Sequence, residues 1–352
     1  MPRTYLVSII SEQTLPNYLL IKELEPQVDI FLFITTKEME QRHKTQYIVE
    51  TAGIQKEKYS KIYVKEDALF LTKNRLDKLN LSYDDKFLVN LTGGTKMIAI
   101  SVWEYFRQFK NTHFFYVPIG KNIYKEIFTE KEADIYPIKY KVSWEEYLSV
   151  YGIKAEAQKL VFTEKQVISI FNYMYQVNFD FNRFPIKKLL EYGFGKLIKT
   201  EQLPTRWFEE FLYYKIKKIL QLEDSDITAG VLLYEKDVLR QHPLYQSDNQ
   251  VDVFFVYNNN PFIIEAKSTI GKDRINTKAL ASYLIKLSAV NRRFGLRARA
   301  TLMTLANFLE MGENARQHLK VRCKLLNLFC PFDRGKIIDN DLFRENLIEF
   351  VK

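Results

Sequence analysis

Gln250-Val251-Asp252-Val253-Phe254-Phe255-Val256-Tyr257, then Asn258-Asn259-Asn260, then Pro261-Phe262-Ile263-Ile264-Glu265-Ala266-Lys267-Ser268 is the stretch on which the reading of this chain turns. Two runs rich in β-branched and aromatic residues flank an asparagine cluster, the pattern of a β-hairpin. If Asn258-Asn259 is a two-residue turn, Tyr257 faces Asn260, and counting back along both strands sets Asp252 opposite Glu265. A three-residue turn would shift that register. In either case side chains alternate along a strand, so Glu265 and Lys267 share one side and Ala266 takes the other. Facing carboxylates repel, and acids left unpaired in an apolar setting are costly, so a cation between them is the simplest reading. Oxygen ligands favour magnesium or manganese.

Working outward, a helix is expected after Pro204, with Thr205 as its N-cap, and Phe208, Leu212, Ile216, Ile219 and Leu220 fall on one face. Glu209 lies inside that apolar arc and is the acid expected to act. Glu210 lies about 100° further round and reads as a solvated helix charge. Downstream, a helix over 276–290 and a strand over 299–304 are expected. The order helix, strands, helix, strand, with Asp252 and Glu265-Ala266-Lys267, resembles the PD-(D/E)xK restriction-like nuclease core, with Gln250-Val251 standing where the motif has its proline. As a bare pattern the motif also fits a salt bridge at a sheet edge.

That resemblance implies a metal-dependent endonuclease of α/β/α architecture. Asp252 and Glu265 would hold one or two divalent ions, manganese or magnesium, with Glu209 completing the shell directly or through water. Lys267 would orient the attacking water or offset charge on the phosphoryl oxygens, and Lys286 is a further candidate. Arg292-Arg293 and the arginines at 297 and 299 read either as phosphate grips or as solvated charges. The four histidines, at 43, 113, 242 and 318, have no ligand-like spacing and are assigned no role.

In the N-terminal half short β-rich runs at 4–10, 30–35, 61–64, 86–91 and 113–117 alternate with helical patterns at 15–24, 37–51, 67–79 and 95–109. This rhythm predicts a doubly wound, mostly parallel α/β sheet. Ligands bind such sheets beyond the carboxyl ends of the strands, which singles out the loops 11–17, 35–40, 92–96 and 118–121. In Asn90-Leu91-Thr92-Gly93-Gly94-Thr95-Lys96 two glycines let the backbone approach a ligand, and the following helix offers free N–H groups to a phosphate. The alternative is a tight strand-to-helix turn capped by Thr95. Neither the phosphate loop of ATPases nor a dinucleotide fingerprint is present.

Ser11-Glu12-Gln13-Thr14-Leu15-Pro16-Asn17, Thr36-Lys37-Glu38-Met39-Glu40, Asn90 to Lys96 and Tyr116-Val117-Pro118-Ile119-Gly120-Lys121 resemble the CARF sensor domain, a Rossmann-like fold. The whole chain resembles the single-chain CARF nucleases of type III CRISPR systems. The resemblance implies a homodimer that binds a cyclic oligoadenylate, usually the tetra-adenylate, across its two-fold axis. It assigns Thr14, Thr92, Gly93, Gly94, Thr95 and Lys96, with Lys37 and Lys121, to the activator pocket. The expected substrates are single-stranded RNA and DNA, with nicking of duplex DNA. A second function class, a ligand-responsive nucleic-acid-binding regulator without cleavage, stays open beside it.

Composition is compatible with both. A formal charge of +9 and a pI near 9.1 favour anionic partners. Two cysteines without a CxxC pair give neither a disulfide framework nor a cysteine zinc site, as suits a reducing cytoplasm. No apolar run reaches the length of a membrane span. The expected organisation is a sensor at 1–142, a small helical connector at 143–203 and a nuclease domain at 204–352. The connector admits a winged-helix-like role, although Phe162, Ile168, Phe171 and Tyr175 read better as packing.

Overall fold

Strands β1 (Thr4–Ile9), β2 (Ile30–Thr36), β3 (Tyr59–Val64), β4 (Lys86–Asn90) and β5 (Thr112–Tyr116) coincide with the five β-rich runs of the N-terminal half. The computed structural model describes residues 2–129, 134–196, 199–245, 250–270 and 275–352. The five strands are parallel, in the order β3-β2-β1-β4-β5. Their centres are apolar on both faces because helices cover both, and Val7, Ile9, Leu32, Ile34, Phe87 and Val89 share a core with Ile98, Val102 and Phe106. Two further strands, β6 (Ile123–Ile127) and β7 (Asp134–Pro137), extend the sheet antiparallel. They were not expected, since their half-exposed, charged sequence carries little apolar alternation. In this order the winding of the connections reverses between the parallel neighbours β1 and β4, so the loops leaving them part and open a crevice.

The second sheet has the order β12-β11-β10-β9-β8, formed by β8 (Ile153–Ala157), β9 (Ile227–Glu235), β10 (Gln250–Tyr257), β11 (Asn260–Lys267) and β12 (Arg299–Thr304). β9, β10 and β11 pair antiparallel, while β12 lies parallel to β11 and is reached through the helix Thr277–Asn291.

The chain divides into two compact units, one of Met1–Lys154, Glu235–Tyr245 and Gly295–Arg297, the other of Ala155–Tyr234, Gln246–Phe294 and Ala298–Lys352. The span 143–203, expected as a separate connector, is divided between the two units. The helix Trp144–Val150 belongs to the first unit, where Glu146 accepts from Tyr18 at 2.8 Å. The helices Glu164–Gln176 and Ile186–Glu191 belong to the second, with Val167, Ile170, Met174 and Leu189 in one core with Phe208, Leu212, Phe255 and Ile264. Of the aromatic run, Phe162 is buried and Phe171 stacks on Phe211 at 4.5 Å, whereas Ile168 and Tyr175 are exposed.

The helix Leu203–Leu220 also starts earlier than expected. Its N-cap is Gln202, without a side-chain bond, and Pro204 sits in the first turn, where a missing N–H and a fixed φ cost nothing. Thr205 is thus inside the helix and not its cap. Among the described residues no helix is long and apolar enough to cross a membrane.

Candidate functional site

Asn258 and Asn259 adopt left-handed φ values of 50° and 58°, as a type I′ turn requires and asparagine tolerates. Tyr257 pairs with Asn260, and the register runs unbroken to Val253 opposite Ile264. The next step along both strands is Asp252 and Glu265, both buried in the second unit. The Asp252 carboxylate accepts from the Ala266 N–H at 2.8 Å and from Lys267 Nζ at 2.9 Å. Lys267 Nζ also lies 2.7 Å from Glu265 Oε1. One ammonium therefore bridges two acids on adjoining strands.

The electrostatics follow from that crowding. Burial raises the Glu265 carboxyl above its usual range, and the nearby Asp252 charge raises it further. Glu209 is pushed up to about 8, first by burial and then by Asp252, with Arg206 opposing. Burial works against the charge on Lys267, but Asp252 and Glu265 together hold its ammonium well above the ordinary lysine value.

Arg206, which the sequence reading did not single out, organises the helix side of the site. It is 3% exposed, and its guanidinium donates to Glu209 at 3.0 Å, to Glu210 at 2.8 Å and to the Lys159 carbonyl at 3.2 Å. Glu210 is fully buried and accepts from the Val161 and Phe162 N–H groups at 2.8 and 2.7 Å. Its reading as a solvated charge is corrected: the chain at 159–162 folds back over the helix face that the local pattern left open. Gly230 on β9 makes room for this, because a Cβ there would meet Arg206 Nη1 at 2.0 Å.

These groups open onto a cleft of about 930 Å³ in the second unit, lined by Arg206, Glu209, Asp252, Glu265 and Lys267. Lys159, Lys199, Tyr283 and Lys286 line it as well. Among the described residues no group of three His, Cys, Asp or Glu side chains is drawn together tightly enough to hold a metal ion as it stands. The donor chemistry nevertheless suits a hard divalent ion. Asp252 and Glu265 already converge on one cation, and the raised carboxyls register a repulsion that positive charge relieves.

In the first unit, the loops after β1 and β4 enclose a crevice of about 220 Å³ lined by Ser11, Gln13, Thr92, Gly93, Gly94 and Ile119. A Cβ on Gly93 would fall 2.1 Å from the Ile9 carbonyl oxygen, so only glycine lets β4 leave so close to β1. Thr92 is fixed by its bond to Asn90 and accepts from the Val117 N–H at 2.8 Å, which ties the fourth loop to the third. Thr95 caps the helix Lys96–Phe106 by accepting from Ile98, so the capping reading of this turn holds alongside the crevice.

The remaining residues expected here are scattered. Thr14 is fully buried, its hydroxyl donating to the Val150 carbonyl at 2.7 Å, so it braces the loop and presents nothing to a ligand. Lys37 lines a separate hollow of about 610 Å³ with Tyr63, Lys65 and Arg75. Lys96, the first residue of the helix Lys96–Phe106, and Lys121, in the loop after β5, are exposed.

Gly295–Arg297 docks on this same unit. Gln13 Oε1 accepts from the Leu296 N–H at 3.1 Å and from the Tyr151 hydroxyl at 3.2 Å. Arg297 is 6% exposed and donates to the Pro118 carbonyl at 3.2 Å. It is thus neither a solvated charge nor an open phosphate grip. Arg292 and Arg299 are exposed, and Arg299 donates to the Phe350 carbonyl at 3.1 Å.

Residues 5–147 match the profile of the Card1 CARF domain. Over 99% of both chains the fold is similar to that of Can2 from Sulfobacillus thermosulfidooxidans, solved in complex with cyclic tetra-adenylate, at 17% identity and a TM-score of 0.68. It is also similar to protein VC1899 from Vibrio cholerae, at 15% identity and a TM-score of 0.71, covering 99% of this chain and 98% of that one. No curated protein sequence matches the chain significantly.

Proposed function

We propose that this protein is a metal-dependent endonuclease switched on by a cyclic oligoadenylate, with cyclic tetra-adenylate the preferred activator, and that it serves type III CRISPR antiviral defence as an ancillary effector. The observation that carries the proposal is Lys267 Nζ at 2.9 Å from Asp252 and 2.7 Å from Glu265, on adjoining strands, in a cleft of about 930 Å³. A PD-(D/E)xK core is supported by the antiparallel β10–β11 pair and by the helix Thr277–Asn291 leading to the parallel β12.

In this reading Asp252 and Glu265 hold a magnesium or manganese ion, with Glu209 contributing directly or through water. When bound, such an ion lowers the pKa of a water and polarises a phosphoryl oxygen. Lys267 orients the attacking water or offsets charge on the phosphate, the work of a compact ammonium. Arg206 holds Glu209 in place. Lys159, Lys199 and Lys286 supply the positive lining that a phosphate backbone needs, whether of single-stranded RNA, single-stranded DNA or a duplex being nicked.

The sensing half of the proposal rests on the match of residues 5–147 to a CARF domain and on the glycine-walled crevice. Thr92, Gly93, Gly94, Thr95 and Lys96, with Lys121, receive the activator, and Lys37, in its separate hollow, is an outlying contact. Two copies would complete the pocket, and a dimer face is suggested by Phe70, Leu71, Met97 and Ile100, which lie exposed on the helices Leu69–Leu76 and Lys96–Phe106. Gln13 and Pro118 hold residues 295–297, which run directly into β12, the neighbour of the strand bearing Glu265 and Lys267. A shift in the loops thereby has a covalent route to the acids.

The test is to combine the protein with manganese, cyclic tetra-adenylate and labelled RNA or plasmid DNA. Cleavage that needs both additions is expected. Binding without cleavage under every condition would leave the second reading, a ligand-responsive regulator.

A further inference from the structure

The strands β11 and β12 run parallel and end together, with Lys267 paired to Thr304. Ligands of such sheets collect beyond the carboxyl ends of the strands. At this end, inside the second unit, lies a hollow of about 480 Å³ that the chemistry proposed above leaves unused. It is lined by Ser268 and Leu305, the residues that follow Lys267 and Thr304. Side chains alternate along a strand, so Lys267 turns into the cleft and Ser268, whose Cα is about 3.8 Å further along the chain, turns to the other face. The carboxyl end of β11 is therefore common to the cleft and the hollow.

Part of the wall comes from the turn after the helix Glu164–Gln176. Asn178 and Phe179 take left-handed φ values of 51° and 56°. Asparagine tolerates that conformation, but in a phenylalanine it is an outlier, and such outliers gather where a site is being shaped. What the turn accomplishes is visible at Arg334. Its guanidinium lies 5.4 Å from the centre of the Phe179 ring, its Nε donates to the Leu305 carbonyl at 2.7 Å, and its Nη1 lies 3.5 Å from Asn178 Oδ1. A planar cation is thereby fixed in the wall, with Nη2 left to donate elsewhere. Phe181, half-buried, adds an aromatic face. Asn307 spends its side-chain oxygen on the Leu309 N–H at 3.1 Å and keeps two amide hydrogens, and the Ser268 hydroxyl has no partner among the described residues.

Charge decides what this wall can receive. Asp180, which pairs with Arg183 at 3.6 Å, and Glu310 line the hollow too, so two carboxylates stand against one guanidinium. A phosphate would be repelled. A flat, neutral ring with hydrogen-bonding edges meets instead an aromatic face, a fixed guanidinium, and amide and hydroxyl donors, the set that reads unpaired bases. Inside a duplex those edges are paired, and a base would first have to leave the stack. We propose that this hollow is a nucleobase subsite: it takes one unpaired base of the substrate strand beside the phosphate at Lys267. The preferred substrate is then single-stranded and is cut with a base preference at one position next to the scissile bond. This inference rests on the nuclease reading for its phosphate, and on Phe181, Asn307 and Arg334 for its base.

The test gives the full-length protein, with manganese and cyclic tetra-adenylate, a pool of single-stranded oligonucleotides of randomised sequence, and reads the cut ends by sequencing. One position flanking the cut should be biased, and the same sequences in duplex should be cut at least about ten-fold more slowly, since a base must first be unstacked. Phe181→Leu keeps an apolar side chain and loses the stacking face, so kcat/KM should fall by roughly ten-fold. Asn307→Asp keeps the oxygen that caps Phe308–Glu310 and exchanges amide donors for an acceptor, so the preferred base should change. Neither variant should alter activator affinity. Random cut ends, duplex cut as fast as single strands, or an Asn307→Asp base profile equal to the parent's would overturn the subsite and leave the nuclease reading intact. If nothing is cleaved, anisotropy of labelled homopolymeric single strands separates the two. Base-dependent affinity that Asn307→Asp changes would keep the subsite and refute the nuclease, and affinity indifferent to the base would overturn both.

Discussion

In the cleft of the second unit the buried acids are answered from within: Lys267 lies against Asp252 and Glu265, and Arg206 against Glu209 and Glu210. In the crevice of the first unit the walls are two glycines and the uncharged Ser11, Gln13, Thr92 and Ile119, while its acid Glu12 pairs with Arg42 and Lys44. The first arrangement gathers like charges and holds them with neighbouring cations, so its chemistry depends on charge. The second is shaped by the close approach of β1 and β4, so its chemistry depends on space. Substitutions that alter charge at constant volume, or volume at constant charge, should therefore separate the two sites cleanly.

The largest effect is expected from charge in the cleft. Glu265→Ala and Lys267→Ala should each lower activator-dependent cleavage by at least about a hundred-fold, the scale of losing one preorganised electrostatic partner. Cyclic tetra-adenylate affinity, measured by calorimetry, should stay unchanged. Full cleavage by either variant would remove these residues from the catalytic centre and break the comparison at its stronger side. Next comes Gly93→Ala, which changes volume alone. Its Cβ would meet the Ile9 carbonyl at 2.1 Å, so β4 must move away from β1. Activator affinity should fall by roughly ten-fold or more, equivalent to about 1.4 kcal/mol, and the protein should melt earlier. Thr92→Val and Lys96→Ala should weaken activation several-fold, on the order of one lost hydrogen bond or exposed charge. Calorimetry that finds their affinity unaltered would take them out of the pocket.

What the sequence disclosed follows the range of the interaction. The β10–β11 register was legible because a two-residue asparagine turn fixes it by counting, and the five parallel strands were legible because each is a short apolar run punctuated by loops. Glu210 was misread because its burial comes from Val161 and Phe162, some fifty residues away, and no helical periodicity contains them. Arg206 was missed for the same reason: its place depends on Glu209, the Lys159 carbonyl and a glycine on β9. An arginine three and four residues before two acids was the available signal, since that spacing brings them together on a helix. Thr14 shows the converse case. A motif position carried over from a resemblance turned out to be spent on the Val150 carbonyl.

The smallest effect isolates the cost of gathering acids in the cleft. Glu209 stands at about 8 in the folded chain, raised by burial and by Asp252, against 4.5 for an ordinary glutamate. Between those values the folded protein keeps a proton that the unfolded chain has lost, so the contribution of this group to metal-free stability is full below 4.5 and declines as pH rises towards 8. Glu209→Gln mimics the protonated acid and keeps an acceptor for Arg206, so it should lack this component of the slope. Relative to the unaltered protein, the variant should be more stable at pH 8 by on the order of a few kcal/mol, read as a melting temperature several degrees higher, with the advantage shrinking towards pH 5. Its cleavage activity should be reduced, because the proposed ligand is gone. Parallel pH profiles for the two proteins would mean that Glu209 is ionised at no cost, and that the cleft is not a place where like charges are held together.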